Sequence, residues 1–483
     1  MRWAFPHGEL GTWLALGAVT ERSVRVWLRA PGNPSEIARL RLDGRVAAQA
    51  RLAPDPAHDH IAVADLVLDS PAPNAPFTVE AAGLTRRGRL APALGTRAAF
   101  SFALGSCHYP FAVGPDGALI ERAATRIYPA MARALRARDS RFLLLVGDQV
   151  YADVLRPIDV RSALRQRYAT EGRLPPLADV VDAYRHVYRG YFNQPGLRAL
   201  QEGWPTHLMW DDHEVFDSWG GGHGDRLDRR IMEGAAQAYR EYQHWRNPNT
   251  RVDDAAPYDY SFWYGDVGFL VLDVRGVRDT AAGVVLGARQ WHDLDTFLAT
   301  ADQRGCPTVF IVASVPVVHF SPALLALGGR IPGSHQSGVR ERWAQPALRA
   351  ERDRLLDRLF AWQTAGPTRQ AILLSGDVHA GAAFRVRRPR RPGTIVQWTS
   401  SALTTPLSPF LLAANTLGTA LVQVGEWRYR ITRQALVPRN NFGLIDVTPI
   451  PSGGHLVDLR LCVYQPKRDI VAVAARVVAR PGA

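Results

Sequence analysis

From about residue 99 onward the chain repeats one pattern, in which a short apolar run ends in a cysteine, aspartate or histidine. The runs have the length and composition of strands that are buried on both faces, and helix-like segments lie between them. This alternation predicts a layered α/β core, in which ligands gather at the carboxyl ends of the strands. The runs are FSFALGSCH, RFLLLVGDQVYAD, THLMWDDHE, VGFLVLDVR, TVFIVASVPV and AILLSGDVH.

Residues with metal-binding side chains follow these runs. Each alone has an ordinary explanation, since a lone aspartate after a strand is often a helix cap and a lone cysteine is usually a small buried hydrophobe. Several of them at the ends of four strands are much harder to explain by capping. The set is Cys107, Asp148, Tyr151, Asp212, His213, Asp377 and His379.

The residue types in this set predict two different metals. Carboxylates gathered at one sheet edge repel each other unless a cation neutralises them. A thiolate, a phenolate and an imidazole prefer iron or zinc, whereas carboxylates suit calcium, magnesium or manganese. Two metals about 3.5–4 Å apart can hold a hydroxide and steady both oxygens of an in-line phosphoryl displacement.

The two ends of the chain have a different pattern from its middle. Residues 10 to about 95 read as short alternating strands separated by turn residues, which is typical of a small β-sandwich. This region holds no titratable cluster, so we interpret it as an accessory module. The C-terminal runs HLVDLRLCVY and DIVAVAARVV are typical of a hairpin that closes the sheet.

Composition excludes several other functions. The net charge is +13, but Lys467 is the only lysine and the arginines are scattered, so we expect no specific nucleic-acid partner. The sequence has no P-loop, no G-x-S-x-G elbow and no H-E-x-x-H helix. Prolines interrupt the uncharged stretch over residues 392–425, so we expect a buried strand and an apolar loop or lid rather than a membrane span.

Four motifs carry a resemblance to a known family. G-D-x-x-Y, with Asp148 and Tyr151, is similar to the calcineurin-like metallophosphoesterases that have a tyrosinate ligand. Trp210–Glu214 resembles their G-N-H-[ED] block, and Ser375–His379 resembles their G-H-x-H block with an aspartate replacing the first histidine. Gly105–Cys107 replaces the usual D-x-H. With the spacers YDYSFWYGDVGFLVLDVRG, LGARQW and TSSALTTP, this pattern resembles the alkaline phosphatase D (PhoD-like) family over nearly the whole chain.

The resemblance implies a fold and an activity. We expect an Ig- or fibronectin III-like β-sandwich over residues 1–97, followed by a four-layer α/β/β/α metallophosphoesterase domain over residues 98–483. The implied activity is metal-dependent hydrolysis of phosphomonoesters, phosphodiesters or both, by a metal-activated hydroxide. The partner would be a small phosphate ester, and we expect a monomer.

The resemblance also implies metals for particular residues. Ferric iron (Fe3+) is the implied softer metal and calcium (Ca2+) the harder one, with other divalent metals as alternatives. Asp148 would bridge the two. The softer metal would be held by Cys107, Asp148, Tyr151 and His379. The harder metal would be held by Asp148, Asp212 and Asp377.

Three further residues are candidates for other roles, and the resemblance itself supplies the role of His213. His213 would protonate the leaving oxygen. Arg275 either clamps a phosphate bidentately or forms an ion pair that fixes a loop. The superfamily normally supplies another histidine after its fifth strand; His319 comes slightly late for that position, and a non-liganding histidine is the favoured interpretation.

Alternatives remain open at this point. A phospholipase or a nucleotide phosphodiesterase could use the same site, and the apolar stretch over residues 400–422 would favour lipid if it is exposed. A catalytically inactive metal-binding relative is another alternative, although the retained His213 argues against it. The N-terminus lacks the charged start and apolar core of a secretory signal, which predicts a cytoplasmic protein. Family members are often exported, so a periplasmic or secreted location is the alternative.

Overall fold

The structure is a computed structural model that describes residues 3–154, 158–220, 224–248, 255–328 and 341–482. Its first strands are β1 (Trp13–Val19), β2 (Ser23–Arg29), β3 (Glu36–Leu42), β4 (Arg45–Leu52), β5 (Ile61–Val67), β6 (Pro76–Ala81) and β7 (Leu84–Arg89). They form two sheets, in the orders β1-β2-β5 and β4-β3-β6-β7. Leu14, Val26, Leu40 and Val79 belong to a core cluster drawn from this region alone. The expected N-terminal β region is therefore present.

The remaining strands supply the sheets that carry the site. They are β8 (Phe100–Gly105), β9 (Phe111–Val113), β10 (Leu119–Glu121), β11 (Leu143–Val146), β12 (Thr206–Met209), β13 (Tyr260–Tyr264), β14 (Val267–Leu272), β15 (Thr308–Ala313), β16 (Gln370–Ser375), β17 (Gly381–Arg387), β18 (Thr394–Thr399), β19 (Arg430–Val437), β20 (Phe442–Pro449), β21 (His455–Gln465) and β22 (Ile470–Ala479).

Nine α-helices connect or flank these strands in the described part of the chain. They are α1 (Ile127–Ala137), α2 (Val160–Glu171), α3 (Leu177–Phe192), α4 (Pro195–Gly203), α5 (Arg226–Tyr242), α6 (Gly287–Gln303), α7 (Pro322–Gly328), α8 (Arg349–Thr364) and α9 (Pro409–Ala420). No helix among the described residues is long and apolar enough to cross a membrane.

Two large mixed sheets form the centre of the molecule. One has the order β12-β11-β8-β20-β21-β22 and the other β13-β14-β15-β16-β18-β17-β19. They pack face to face, since the ring of Phe102 on β8 lies 5.4 Å from that of Phe269 on β14 and 5.5 Å from that of Phe310 on β15. The opposite face of the second sheet packs against α6 and α8. The predicted C-terminal hairpin is confirmed as β21 and β22 at the edge of the first sheet.

The uncharged stretch over residues 392–425 differs from the expectation. Its first part is the expected strand β18, but its second part forms helix α9 rather than a loop. Ser408 caps the helix, because its side chain accepts a hydrogen bond from the Leu411 amide at 3.2 Å. Pro409 stands in the first turn, where its missing N–H costs nothing.

Candidate metal centre

Parallel pairing aligns the strand ends that carry the predicted ligands. Strands β8, β11 and β12 are parallel neighbours, with Leu145 paired to Gly105 and Val146 paired to Met209. The segments that follow these strands therefore leave the sheet side by side. They carry Cys107, Asp148 and Asp212. Strand β16 of the facing sheet ends at Ser375 and supplies Asp377 and His379.

The backbone at four of these positions is unusual. Non-glycine residues rarely adopt positive φ, and such residues cluster at functional sites because the fold must hold them there. The φ angles are 61° at Cys107, 54° at Asp148, 67° at Asp377 and 56° at His379. The chain turns sharply after each strand, and the side chains at these turns come close to one another.

One end of the cluster, which we call the thiol end, consists of Cys107, Tyr151 and His379 around Asp148. The Sγ of Cys107 lies 3.3 Å and the Oη of Tyr151 lies 3.1 Å from Oδ2 of Asp148. The same Oη lies 3.3 Å from Nε2 of His379. One ligand atom each from Cys107, Asp148 and His379 lie within 4.8 Å of one another, which is close enough to share an ion.

The other end, which we call the carboxylate end, consists of Asp212 and Asp377 around Asp148. Ligand atoms of Asp211, Asp212 and Asp377 lie within 4.8 Å of one another, as do those of Asp148, Asp212 and His213. Asp377 forms an ion pair with Arg342. Asp212 accepts a hydrogen bond from the Ser218 amide at 2.5 Å.

The electrostatics of the thiol end favour a bound cation. Burial raises the pKa of the Asp148 carboxyl well above its usual range, and the neighbouring Asp212 and Asp211 raise it further. Burial and Asp148 likewise raise the pKa values of the Cys107 thiol and the Tyr151 phenol. A metal would reverse this preference, because it stabilises the charged form of each ligand.

Two atoms in the cluster test whether a metal fits. Oδ1 of Asp148 and Nδ1 of His379 are buried and have no hydrogen-bond partner among the described residues. Burial lowers the pKa of His379 to about 3, so its ring is neutral and able to donate a lone pair. The thiol of Cys107, the phenol of Tyr151, the carboxylate of Asp148 and the imidazole of His379 form a donor set that suits iron or zinc at the thiol end.

His213 lies beside the ligands with its ring held by a carboxylate. Its Nδ1 lies 2.8 Å from Oδ1 of Asp153. Burial alone would lower the pKa of His213, but Asp153, Asp212 and Asp148 raise it well above its usual value. The ring is therefore protonated when no metal is bound. The sequence interpretation did not include Asp153, although it stands only two positions after Tyr151 in the same strand-end segment.

Hydroxyl groups from the TSSALTTP segment support the thiol end. Oγ of Ser401 lies 3.1 Å from Sγ of Cys107 and accepts a hydrogen bond from the His379 amide at 3.0 Å. Oγ1 of Thr405 lies 3.0 Å from Oη of Tyr151 and donates to the Cys107 carbonyl at 2.9 Å. These contacts hold the thiol, phenol and imidazole in place without adding a charge.

Arg275 is completely buried among carboxylates. It contacts Asp211, lies 3.3 Å from Asp212 and 2.5 Å from Glu341, and donates to the Trp219 carbonyl at 3.1 Å. These contacts make Arg275 part of a buried ion-pair network behind Asp212. Among the described arginines, Arg342 is the one that lines the cavity beside the metal centre. No strand-end motif marked Arg342 in the sequence.

His319 lies away from the ligand cluster. Its Nε2 is 2.7 Å from Oδ1 of Asn415 on helix α9, and its ring packs against Phe320 and Phe384. Asn415 in turn donates to the Val378 carbonyl at 3.0 Å. His319 therefore helps to fix helix α9 against the strand end that carries Asp377 and His379.

Known proteins share the fold of this chain. The structure is similar to "Structure of PhoD", with a TM-score of 0.69 and 16% identity over 100% of this chain and 91% of that one. It is also similar to a purple acid phosphatase from yellow lupin (Lupinus luteus), with a TM-score of 0.57 and 12% identity over 98% of this chain and 74% of that one. No curated protein sequence matches the chain.

Together with a match to the model of a phosphatase family, the mixed α/β fold and its ligand clusters define a metal-dependent phosphoester hydrolase. The model of the PhoD-like phosphatases matches residues 106–440, which include every predicted metal ligand. The chain belongs to the PhoD-like phosphatase family, and its substrate is accordingly a small phosphate ester.

Proposed function

We propose that the enzyme hydrolyses phosphomonoesters and phosphodiesters with ferric iron at the thiol end and calcium at the carboxylate end. The thiol, phenol and imidazole suit iron, and the oxygen ligands of Asp212 and Asp377 suit calcium. Asp148 lies between the two ends and would bridge the metals. When bound, the metals would neutralise charge on the phosphoryl group and lower the pKa of water.

We assign the general acid to His213. Asp153 holds Nδ1 of the ring, which leaves Nε2 to donate a proton to the leaving oxygen. Although burial lowers the pKa of His213, Asp153, which is outside the proposed ligand set, raises it and favours the protonated ring. An inactive relative would have no use for an acid held in this way beside its metal ligands.

We assign phosphate binding to Arg342 rather than to Arg275. Arg342 lines the cavity, and its guanidinium contacts the carboxylate end through Asp377. A planar guanidinium can bind two phosphoryl oxygens at once. Arg275 would instead position Asp211 and Asp212 from behind.

The observation that carries the proposal is the meeting of a thiol, a phenol, an imidazole and carboxylates from four strand ends. Metal analysis of the purified protein, combined with 4-nitrophenyl phosphate and bis(4-nitrophenyl) phosphate as substrates, tests it. We expect one iron per chain, a visible charge-transfer band and turnover of both esters. A colourless, fully active enzyme that contains only zinc or magnesium would show that the iron assignment is wrong.

A pair of tyrosine variants sharpens this test. Tyr151→Phe removes the proposed phenolate ligand and should shift or bleach the visible band. Tyr109→Phe is the matched control, because its ring lies 4.7 Å from that of Tyr151 but its hydroxyl is outside the proposed ligand set. An unchanged visible band in Tyr151→Phe would show that the phenolate of Tyr151 does not bind the metal.

We further propose the division of the chain into an Ig- or fibronectin III-like sandwich over residues 1–97 and a four-layer α/β/β/α domain over residues 98–483. The separate N-terminal core supports this boundary. Contacts across it, such as the 2.7 Å hydrogen bond from the Trp27 indole to the Glu241 carbonyl, would hold the two domains together. Limited proteolysis near residue 97 would test the boundary.

A further inference from the structure

The cavity beside the metal centre has a polar end and an apolar end. Its volume is about 350 Å3, within the range of small-molecule sites. The polar end includes Asp148, Asp212, His213 and Arg342. The other end, which we call the apolar wall, consists mainly of side chains on or beside helices α7 and α9. The apolar wall includes Phe320, Leu324, Leu325, Phe410, Leu411 and Leu417.

The apolar wall is open to solvent. Phe410 is 56% exposed and Leu417 is 55% exposed, although both line the cavity. Helix α9 has the sequence PFLLAANTLGTA and carries no charged residue. A soluble protein gains stability by burying such side chains, so a patch of this kind beside an active site indicates an apolar ligand.

Helix α9 is fixed to the metal centre. Asn415 on this helix donates to the carbonyl of Val378, which lies between the predicted ligands Asp377 and His379. One turn further along the helix, Thr419 accepts a hydrogen bond from Arg433 at 2.7 Å. The distance between the metal ligands and the apolar wall is therefore set by the fold.

We propose that the substrate carries an extended apolar group, such as an alkyl chain, on its phosphoester. The phosphoryl group lies at the metal centre and the apolar group lies along the apolar wall. This inference rests on the proposed function and narrows its substrate to amphiphilic phosphoesters. A sugar or nucleoside in the same place would bury hydroxyl groups against leucine side chains, which offer no hydrogen-bond partner.

The test compares ethyl and octyl esters that are dissolved as single molecules rather than as micelles. For the metal-loaded enzyme, kcat/KM is measured for ethyl phosphate and octyl phosphate, and for ethyl and octyl 4-nitrophenyl phosphate, below the micelle concentration. We expect the octyl ester of each pair to be preferred by about tenfold or more, because several additional methylenes leave water. Calorimetry with ethyl and octyl phosphate provides a second readout that does not need turnover.

Two leucines on helix α9 provide a matched pair of variants. Leu417→Ser changes a residue of the apolar wall and should reduce the octyl preference, measured as the ratio of kcat/KM for the octyl and ethyl esters, several-fold. Leu412→Ser is the control, because Leu412 is 42% exposed on the same helix but lies outside the cavity lining. Phe410→Ser should behave like Leu417→Ser.

The outcomes separate this inference from the proposed function. Turnover of all four esters without an octyl preference would contradict the proposed role of the apolar wall. The hydrolase assignment would be unaffected by that result. Tighter binding of octyl phosphate without any turnover would support the wall and contradict the hydrolase. Phosphatidic acid vesicles distinguish two kinds of amphiphilic substrate. Hydrolysis in vesicles indicates a bilayer lipid, and hydrolysis of octyl esters alone indicates a soluble amphiphile. Both results support the proposal.

Discussion

The two ends of the metal centre share Asp148 but differ in what surrounds their other ligands. At the thiol end, Cys107 and Tyr151 contact the hydroxyl groups of Ser401 and Thr405 at 3.1 Å and 3.0 Å. At the carboxylate end, the ligands contact guanidinium groups. Arg275 lies 3.3 Å from Asp212, and Arg342 contacts Asp377.

This difference in surroundings predicts how firmly each end should hold its metal. The arginines already offset part of the negative charge at the carboxylate end, so a cation gains less by binding there. Although burial alone would raise the pKa of Asp212, Arg275 and His213 hold it below its usual value. At the thiol end, the proposed thiolate and phenolate ligands would form intrinsically stronger bonds to iron. We therefore expect a firmly held metal at the thiol end and an exchangeable one at the carboxylate end.

The largest expected effect comes from the residue that both ends share. Asp148→Ala should lose metal from both ends, because it removes the bridging carboxylate. Activity on aryl and alkyl esters should fall by more than the roughly 10²–10⁴-fold that loss of a general acid costs. Metal content and turnover are measured together, with Asp116→Ala, an exposed loop aspartate, as the control. Full metal content in Asp148→Ala would contradict the shared bridge.

A smaller and more selective loss is expected at His213. His213→Ala should keep both metals and lose about 10²–10⁴-fold in rate on an alkyl ester, which needs a proton on its leaving oxygen. An activated aryl ester should retain much of its rate, since a nitrophenolate departs without help. Equal losses on the two esters, with both metals retained, would mean that His213 positions the phosphate and another group is the acid.

The smallest effect distinguishes the two arginine contacts of the carboxylate end. Arg342→Ala should lower kcat/KM by roughly 10- to 100-fold, because a charged hydrogen-bond partner of the phosphoryl group is lost. The same variant should bind the exchangeable metal more tightly, since Asp377 no longer pairs with a guanidinium. Arg342→Lys keeps the charge and serves as the comparison. Unchanged kcat/KM in Arg342→Ala would contradict its assignment to phosphate.

The strand-end residues could be predicted because the sequence marks where each strand ends. An apolar run stops at or just before Gly105–Cys107, Gly147–Asp148 and Gly376–Asp377. Parallel pairing of β8 with β11 places the first two ends side by side, and the face-to-face packing of the two sheets brings the end of β16 to them. The glycines are needed at this edge: a Cβ at Gly376 would lie 2.4 Å from Oγ of Ser106. These signals are local, so the sequence alone carries them.

Other parts of the site depend on contacts between distant segments. Arg342 follows no strand and reaches the site only through packing of its loop, so no periodic pattern marks it. Helix α9 lacks charged residues, which hides its helical periodicity, although Ser408 and Pro409 are a recognisable helix start. The proposed role of Arg275 likewise rests on its contacts with Asp211 and Glu341, which lie far away in sequence.

The difference between the two ends is tested most directly by following both metals while a chelator is added. Iron and calcium per chain, the visible band and turnover are measured on the same samples. We predict that calcium and turnover are lost first while iron and the band persist, and that added calcium restores turnover. Loss of the band before or together with the calcium would contradict the account.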